Sequence, residues 1–397
     1  MTYNVDPDSA GMRALNDRQN QRAALLQRIG EARGSTVLTY MTSYREGWGS
    51  AVMSEDVRVI ERHVAQMRAA GVQKLDLFLS TWGGDATLPW SLHAMLRDYL
   101  PKTKIGVILP FESYSAGTGI ALGADEIVMG LSSVLGPTDT QAFGYFWGQR
   151  PSGGGVSSLQ GFMQLLKDFD MRGKIDDATM LDWLTRNSDP MKLGAIYRIF
   201  RENKRKILKI LNSRLKPLSA KDNDRLADFF LYDIGIHGQG IRRREAQDAG
   251  LSYVTDLEAT GLEAEVASLF EAYADAMQLF VPFARAYPPA APGFSQDVNL
   301  DGEHAGDTPV VLIESVYGTD AGFSAFGVDR AWGDKVRNDD EPENEAPDDY
   351  GHGHLDRRAM APMRLSWGSS PGRQEAPRGQ RPGGKPTRRL ARRKRPE

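Results

Sequence analysis

The chain has 397 residues, of which 41% are hydrophobic and 25% charged, the balance of a globular protein with one large or two modest domains. It contains no cysteine, which excludes thiol catalysis, disulfides and thiolate metal sites. No run approaches the ~18 apolar residues of a membrane span, and residues 1–33 are too polar for a signal peptide, so a cytoplasmic location is expected.

Asp17 to Glu31 reads as an amphipathic helix with Leu25, Leu26 and Ile29 on one side. A strand follows at Thr36 to Met41. Ser54-Glu55-Asp56 opens a second helix whose Val57, Ile60, Val64 and Met67 keep helical spacing up to Gly71. Leu75 to Leu79 is a short apolar strand ending in the turn Thr81-Trp82-Gly83-Gly84-Asp85. Asp85 to Leu100 is the next helix, Lys104 to Leu109 the next strand, Ser115 to Ala124 a small-residue helix and Glu126 to Met129 a strand. This rhythm predicts an α/β fold with a parallel sheet and crossover helices. Gly144 to Gly155 is glycine-rich and reads as a mobile loop, and Leu159 to Leu211 as mostly helical. Ile241 to Leu251 reads as a helix, Ser252 to Val254 as a strand, Leu262 to Phe283 as a helix and Val310 to Ile313 as a strand. From about Asp334 onward, low apolar content and dense charge predict disorder.

Both glycine-containing turns fall at the C-terminal ends of strands, where open α/β sheets place their sites. Ser115 begins a helix, where free N–H groups and the macrodipole favour developing negative charge. One turn supplies a hydroxyl nucleophile and the other supplies backbone donors for an oxyanion, the minimum for acyl transfer. The competing reading of Ser115 is a helix N-cap, a position that favours serine whatever the chemistry.

These segments resemble the serine dehydrogenase proteinase family of the Clp protease and crotonase superfamily, relatives of signal peptide peptidase A. The resemblance rests on Leu75 to Gly84, Ser113 to Thr118, Ala124 to Met129 and Leu135 to Gln141. A weaker match returns at Ile236 to Ile241 with Glu245-Ala246 and Gly250-Leu251, so that it covers roughly residues 15–260. It implies a Clp/crotonase-like spiral of ββα units whose strands form two sheets, with an added helical region and a disordered C-terminal tail. The division expected is an N-terminal helix over 1–34 and a catalytic domain over 35–260 with a helical insertion at about 156–215. A helical extension with a short strand then spans 261–333, and an acidic-then-basic tail spans 334–397. By resemblance the activity is serine-type proteolysis of a peptide or protein substrate, with no cofactor and in a homo-oligomer. Ser115 is then the nucleophile, and the oxyanion donors are Gly83 or Gly84 together with Ala116.

The general base is left open between His237 and a lysine, Lys167 or Lys174, with Asp139 orienting the base or lining the cleft. No histidine stands in Gly136 to Gln141, where Clp-type peptidases carry theirs, and His237 is followed by glycine where the family pattern has aspartate. A histidine titrates near neutrality unaided, whereas a lysine must be buried to act as a base. These departures keep a non-catalytic assembly or partner-binding protein in view, with acyl-CoA chemistry as a third reading. Lys204-Arg205-Lys206 reads as an exposed helix face, and His63 and His93 as incidental. Between Pro371 and Glu397 ten basic residues stand against two acidic ones, a tail suited to non-specific attraction to an anionic partner.

Overall fold

The computed structural model describes residues 10–45, 48–138, 141–144, 152–155, 178–179, 182, 185–186, 190–234, 238–280, 309–323 and 362–365. Two short N-terminal helices, α1 (Ala10–Asp17) and α2 (Gln19–Arg33), lead into β1 (Thr36–Thr42), and Gly34 takes the left-handed conformation that ends α2. A small hairpin, β2 (Tyr44–Arg45) and β3 (Trp48–Gly49), precedes α3 (Asp56–Ala69). The alternating part then runs β4 (Lys74–Ser80), α4 (Leu88–Tyr99), β5 (Lys104–Leu109), β6 (Glu112–Ser113), α5 (Ala116–Leu122), β7 (Glu126–Met129) and β8 (Val134–Leu135). After the paired β9 (Gln141–Gly144) and β10 (Ser152–Gly155) come α6 (Pro190–Asn212) and α7 (Ala220–Asp228). A π-helical turn at Phe229–Asp233, β11 (Ile241–Arg242), α8 (Arg243–Asp248), β12 (Val254–Asp256) and α9 (Glu263–Ala276) follow. The last described strands are β13 (Pro309–Ser315), β14 (Gly318–Phe323) and β15 (Pro362–Leu365).

Eight strands form the main sheet in the order β12-β7-β5-β4-β1-β13-β14-β15. The run from β12 to β1 is parallel, and β13 joins β1 antiparallel. The inner strands are apolar on both faces because helices cover both. Leu38, Leu77, Val107 and Ile127 pack towards α3, α4, α5 and α6, while Val37, Phe78, Ile108 and Val128 pack towards α2 and α9. A second sheet of three strands, β11-β8-β6, lies beyond the C-terminal ends of β4 and β5 in the chain path. The fold is therefore α/β, with these two sheets accompanied by the two-stranded pairs β2-β3 and β9-β10.

Several elements differ from the sequence reading. The helix expected from Asp85 starts at Leu88, because the Asp85 side chain accepts hydrogen bonds from Thr87 and holds the preceding turn out of the helix. Ile241–Arg242 is a strand paired with β8 rather than the first turn of a helix. At the two ends of the glycine-rich stretch, residues 141–144 and 152–155 pair antiparallel. Within the stretch read as tail, Pro362–Leu365 pairs with β14 as the edge strand, with its proline at the strand start where no ladder N–H is needed.

Buried charge fastens β13 and β14 to the rest. Arg22 on α2 and Glu314 on β13 form an ion pair with both side chains fully buried, and Glu314 also accepts from Tyr273 at 2.6 Å and Thr319 at 2.5 Å. His63 on α3, far from incidental, bridges Ser315 at 2.8 Å and Asp320 at 3.0 Å.

Candidate active site

The turn after β4 is held from two sides. On one flank the Thr81 N–H donates to the Glu112 carbonyl at 3.0 Å, and the Tyr114 N–H donates to the Thr81 carbonyl at 2.9 Å. On the other the Val52 N–H donates to the Gly83 carbonyl at 2.8 Å, and the Asp85 N–H donates to the Val52 carbonyl at 2.9 Å. Gly83 and Gly84 carry φ of 99° and 149°, which side chains disfavour. A Cβ on Gly83 would lie 2.7 Å from the Ser115 Cβ and 3.1 Å from the Ala116 nitrogen. The glycine turn and the serine turn are thus in contact.

Ser115 precedes α5 with φ 52° and ψ −114°, and is one of two non-glycine residues with positive φ among those described. Its hydroxyl makes no capping hydrogen bond. A serine chosen to cap the helix has extended backbone and bonds the N2 or N3 amide. Ser115 does neither, so capping does not account for it. A half-buried serine with positive φ at a strand-to-helix corner has the local conformation that a nucleophile elbow uses. The small residues of α5 let it sit close. A Cβ on Gly117 would strike Thr81 at 2.4 Å, and, just after β8, one on Gly136 would strike the Tyr114 ring at 2.1 Å.

The candidate donors differ. The Gly83 N–H is taken by the Thr81 hydroxyl at 3.1 Å. The Gly84 N–H shares a trans peptide with the Gly83 carbonyl, which points at Val52, so this N–H points the opposite way. The Ala116 N–H is at the first position of α5 and has no helical acceptor.

A cavity of about 30 Å³ adjoins Ser115, with Ala116, Thr138, Asn203, Lys206, Ile207 and Leu231 among its lining residues. Lys206 is the residue that sequence reasoning missed. Among the described residues it is the one titratable side chain in this lining, and it belongs to α6, whose Asn203, Ile207 and Ile210 are buried. The signal was that stripe: Lys206 borders it, three residues after Asn203, and is only half-exposed. Its neighbour Lys204 also turns inward, pairing with Asp224 and Asp228 at 3.0 and 2.7 Å, so only Arg205 of the three is exposed. Burial alone would raise the Asp85 carboxyl. Hydrogen bonds from Ser54 and Thr87, with the Lys206 charge nearby, hold it below the ordinary carboxylate range. Trp82, next to Gly83, stacks on Tyr44 with centroids 5.4 Å apart and donates to Glu112 at 2.7 Å.

His237, Lys167, Lys174 and Asp139 lie outside the described residues. A larger open groove of about 780 Å³ runs along α6, where Trp90 and Leu208 lie among Arg201, Glu202, Arg205 and Lys209.

Residues 10–149 match the family described as ClpP-like SDH-type serine proteinase. An uncharacterized protein of Methanocaldococcus jannaschii is 31% identical over 173 residues, 41% of this chain and 53% of the relative. A second uncharacterized protein of that organism is 40% identical over 67 residues, 17% of this chain and 22% of its own. The chain thus spans about half the length of the first relative and about a fifth of the second. Among solved structures, a 1510-N membrane-bound stomatin-specific protease aligns with TM-score 0.34 and 14% identity over 54% of this chain and 80% of that one. ClpP1 from Listeria monocytogenes aligns with TM-score 0.32 and 13% identity over 58% of this chain and 96% of that one. A putative enoyl-CoA hydratase from Streptomyces coelicolor A3(2) aligns at 0.27 and 16% over 62% and 74%. No helix among the described residues is long and apolar enough to cross a membrane. Both turns lie within residues 10–149, the segment over which this chain is similar to the ClpP-like SDH-type serine proteinases.

Proposed function

We propose that the chain is a serine peptidase with Ser115 as nucleophile. The observation that carries this reading is the uncapped, positive-φ serine packed against the Gly83-Gly84 turn. The Ser115 hydroxyl attacks a peptide carbonyl, and a general base takes its proton. The tetrahedral oxyanion is held by the Ala116 N–H and, since Thr81 already occupies the Gly83 N–H, by Gly84. The base returns the proton to the leaving amine, and water, deprotonated by the same base, then hydrolyses the acyl-enzyme. His237, Lys167 and Lys174 stand as candidate bases, with Asp139 as orienting group. Lys206 joins them because it lines the cavity beside Ser115. A homo-oligomer and non-specific capture of an anionic partner by the basic tail belong to the same reading.

A fluorophosphonate probe tests it. Stoichiometric labelling that maps to Ser115, abolished together with casein cleavage in Ser115→Ala, is the expected result. A Ser115→Ala protein that cleaves casein at the parent rate sinks the assignment. An unlabelled, inert but folded parent favours the assembly reading.

A further inference from the structure

Resting on the peptidase reading, we propose that the cavity beside Ser115 receives the side chain on the acyl side of the scissile bond and admits only a small one: glycine, alanine or serine. A carbonyl seated between the Ser115 hydroxyl and the Ala116 amide carries that side chain as the substituent nearest the cavity, which begins at these same two residues. Its volume is about 30 Å³. A cavity that takes up benzene measures about 150 Å³, so a phenyl ring or an isobutyl group does not enter.

The walls do not yield. Ala116, Ile207, Ile210 and Leu231 are buried and belong to the main core cluster, so widening the cavity means unpacking that core. Leu231 sits in the π-helical turn, where the Phe230 carbonyl accepts from the Thr138 N–H at 2.8 Å and from its hydroxyl at 3.3 Å. That tie fixes the two walls to each other. Pro89 closes on Gly119, where even an added Cβ would approach it to 3.0 Å. Lysine and arginine side chains are longer than that of leucine and exceed the same volume.

The test is a peptide series differing only at the residue that donates the scissile carbonyl: alanine, serine, leucine, phenylalanine and lysine. The readout is kcat/KM on the full chain, with Ser115 labelling measured in parallel. The expected result is that alanine and serine exceed leucine, phenylalanine and lysine by at least about tenfold. A Leu231→Ala variant that retains Ser115 labelling should shift the ratio towards leucine. Leucine or phenylalanine turned over as fast as alanine by the parent overturns the size limit and leaves the peptidase reading standing. Labelling of Ser115 with no cleavage of the alanine peptide also overturns it. No cleavage and no labelling of folded protein overturns both.

Discussion

At the scale of single residues the site depends on what Gly83 lacks. With φ at 99° and Ser115 within 2.7 Å of where a Cβ would stand, Gly83→Ala must move one of the two turns. Loss of one oxyanion donor typically costs ~2.7–4 kcal/mol of barrier. A shift of the whole turn should therefore lower kcat by at least about a hundredfold while KM changes less, which steady-state kinetics on a chromogenic peptide will measure. Much at this scale was legible in the sequence. The serine and both glycines stand out because a hydroxyl and positive-φ positions at strand ends are local signals. The stripe of Asn203, Ile207 and Ile210 marks Lys206 as a border residue, but its place beside Ser115 was not legible, because 91 positions separate the two and only the seating of α6 brings it there. Nor were the roles of His63 and His93. Each is a lone histidine on a helix until Ser315, Asp320 or the Ile120 carbonyl comes to meet it.

At the scale of elements, α2 and β13 are coupled by the fully buried Arg22–Glu314 pair. Removing one partner of such a pair leaves an uncompensated charge in the interior, at a cost of about 3–5 kcal/mol. Arg22→Met is expected to lose about that much in urea denaturation, and a change below about 1 kcal/mol would show that the pair does not hold the hairpin. Replacing both partners by apolar residues should cost much less. The strands β1, β4, β5 and β7 were readable to within a residue at each end, since apolar-rich runs of four to seven residues between breakers leave little choice. The two-residue strands β6, β8 and β11 were not, because pairs that short carry no periodicity and exist only through their partners.

At the scale of the molecule, acid stability turns on His93. Burial pulls its pKa down from 6.5 to about 4, although the hydrogen bond to the Ile120 carbonyl opposes this. The folded state thus binds fewer protons than the unfolded state between those two values, so stability rises with pH there. His93 contributes fully above about pH 6.5, and the contribution is lost as pH falls through about 4, on the order of 3 kcal/mol in all. Melting temperatures across that range should fall with acid, and less steeply in a folded His93→Gln variant. An equal slope in both would remove His93 as the source. The sheet order was out of reach of the sequence. The alternating rhythm predicts a parallel sheet, but nothing local announces that β13, from near residue 310, docks antiparallel against β1. The grip on the Gly83 turn, from Val52 on one flank and from residues 112–114 on the other, has a biological corollary. On the proposed peptidase reading, a copy in which these ties are not made lacks amides in register with its hydroxyl and is expected not to cleave.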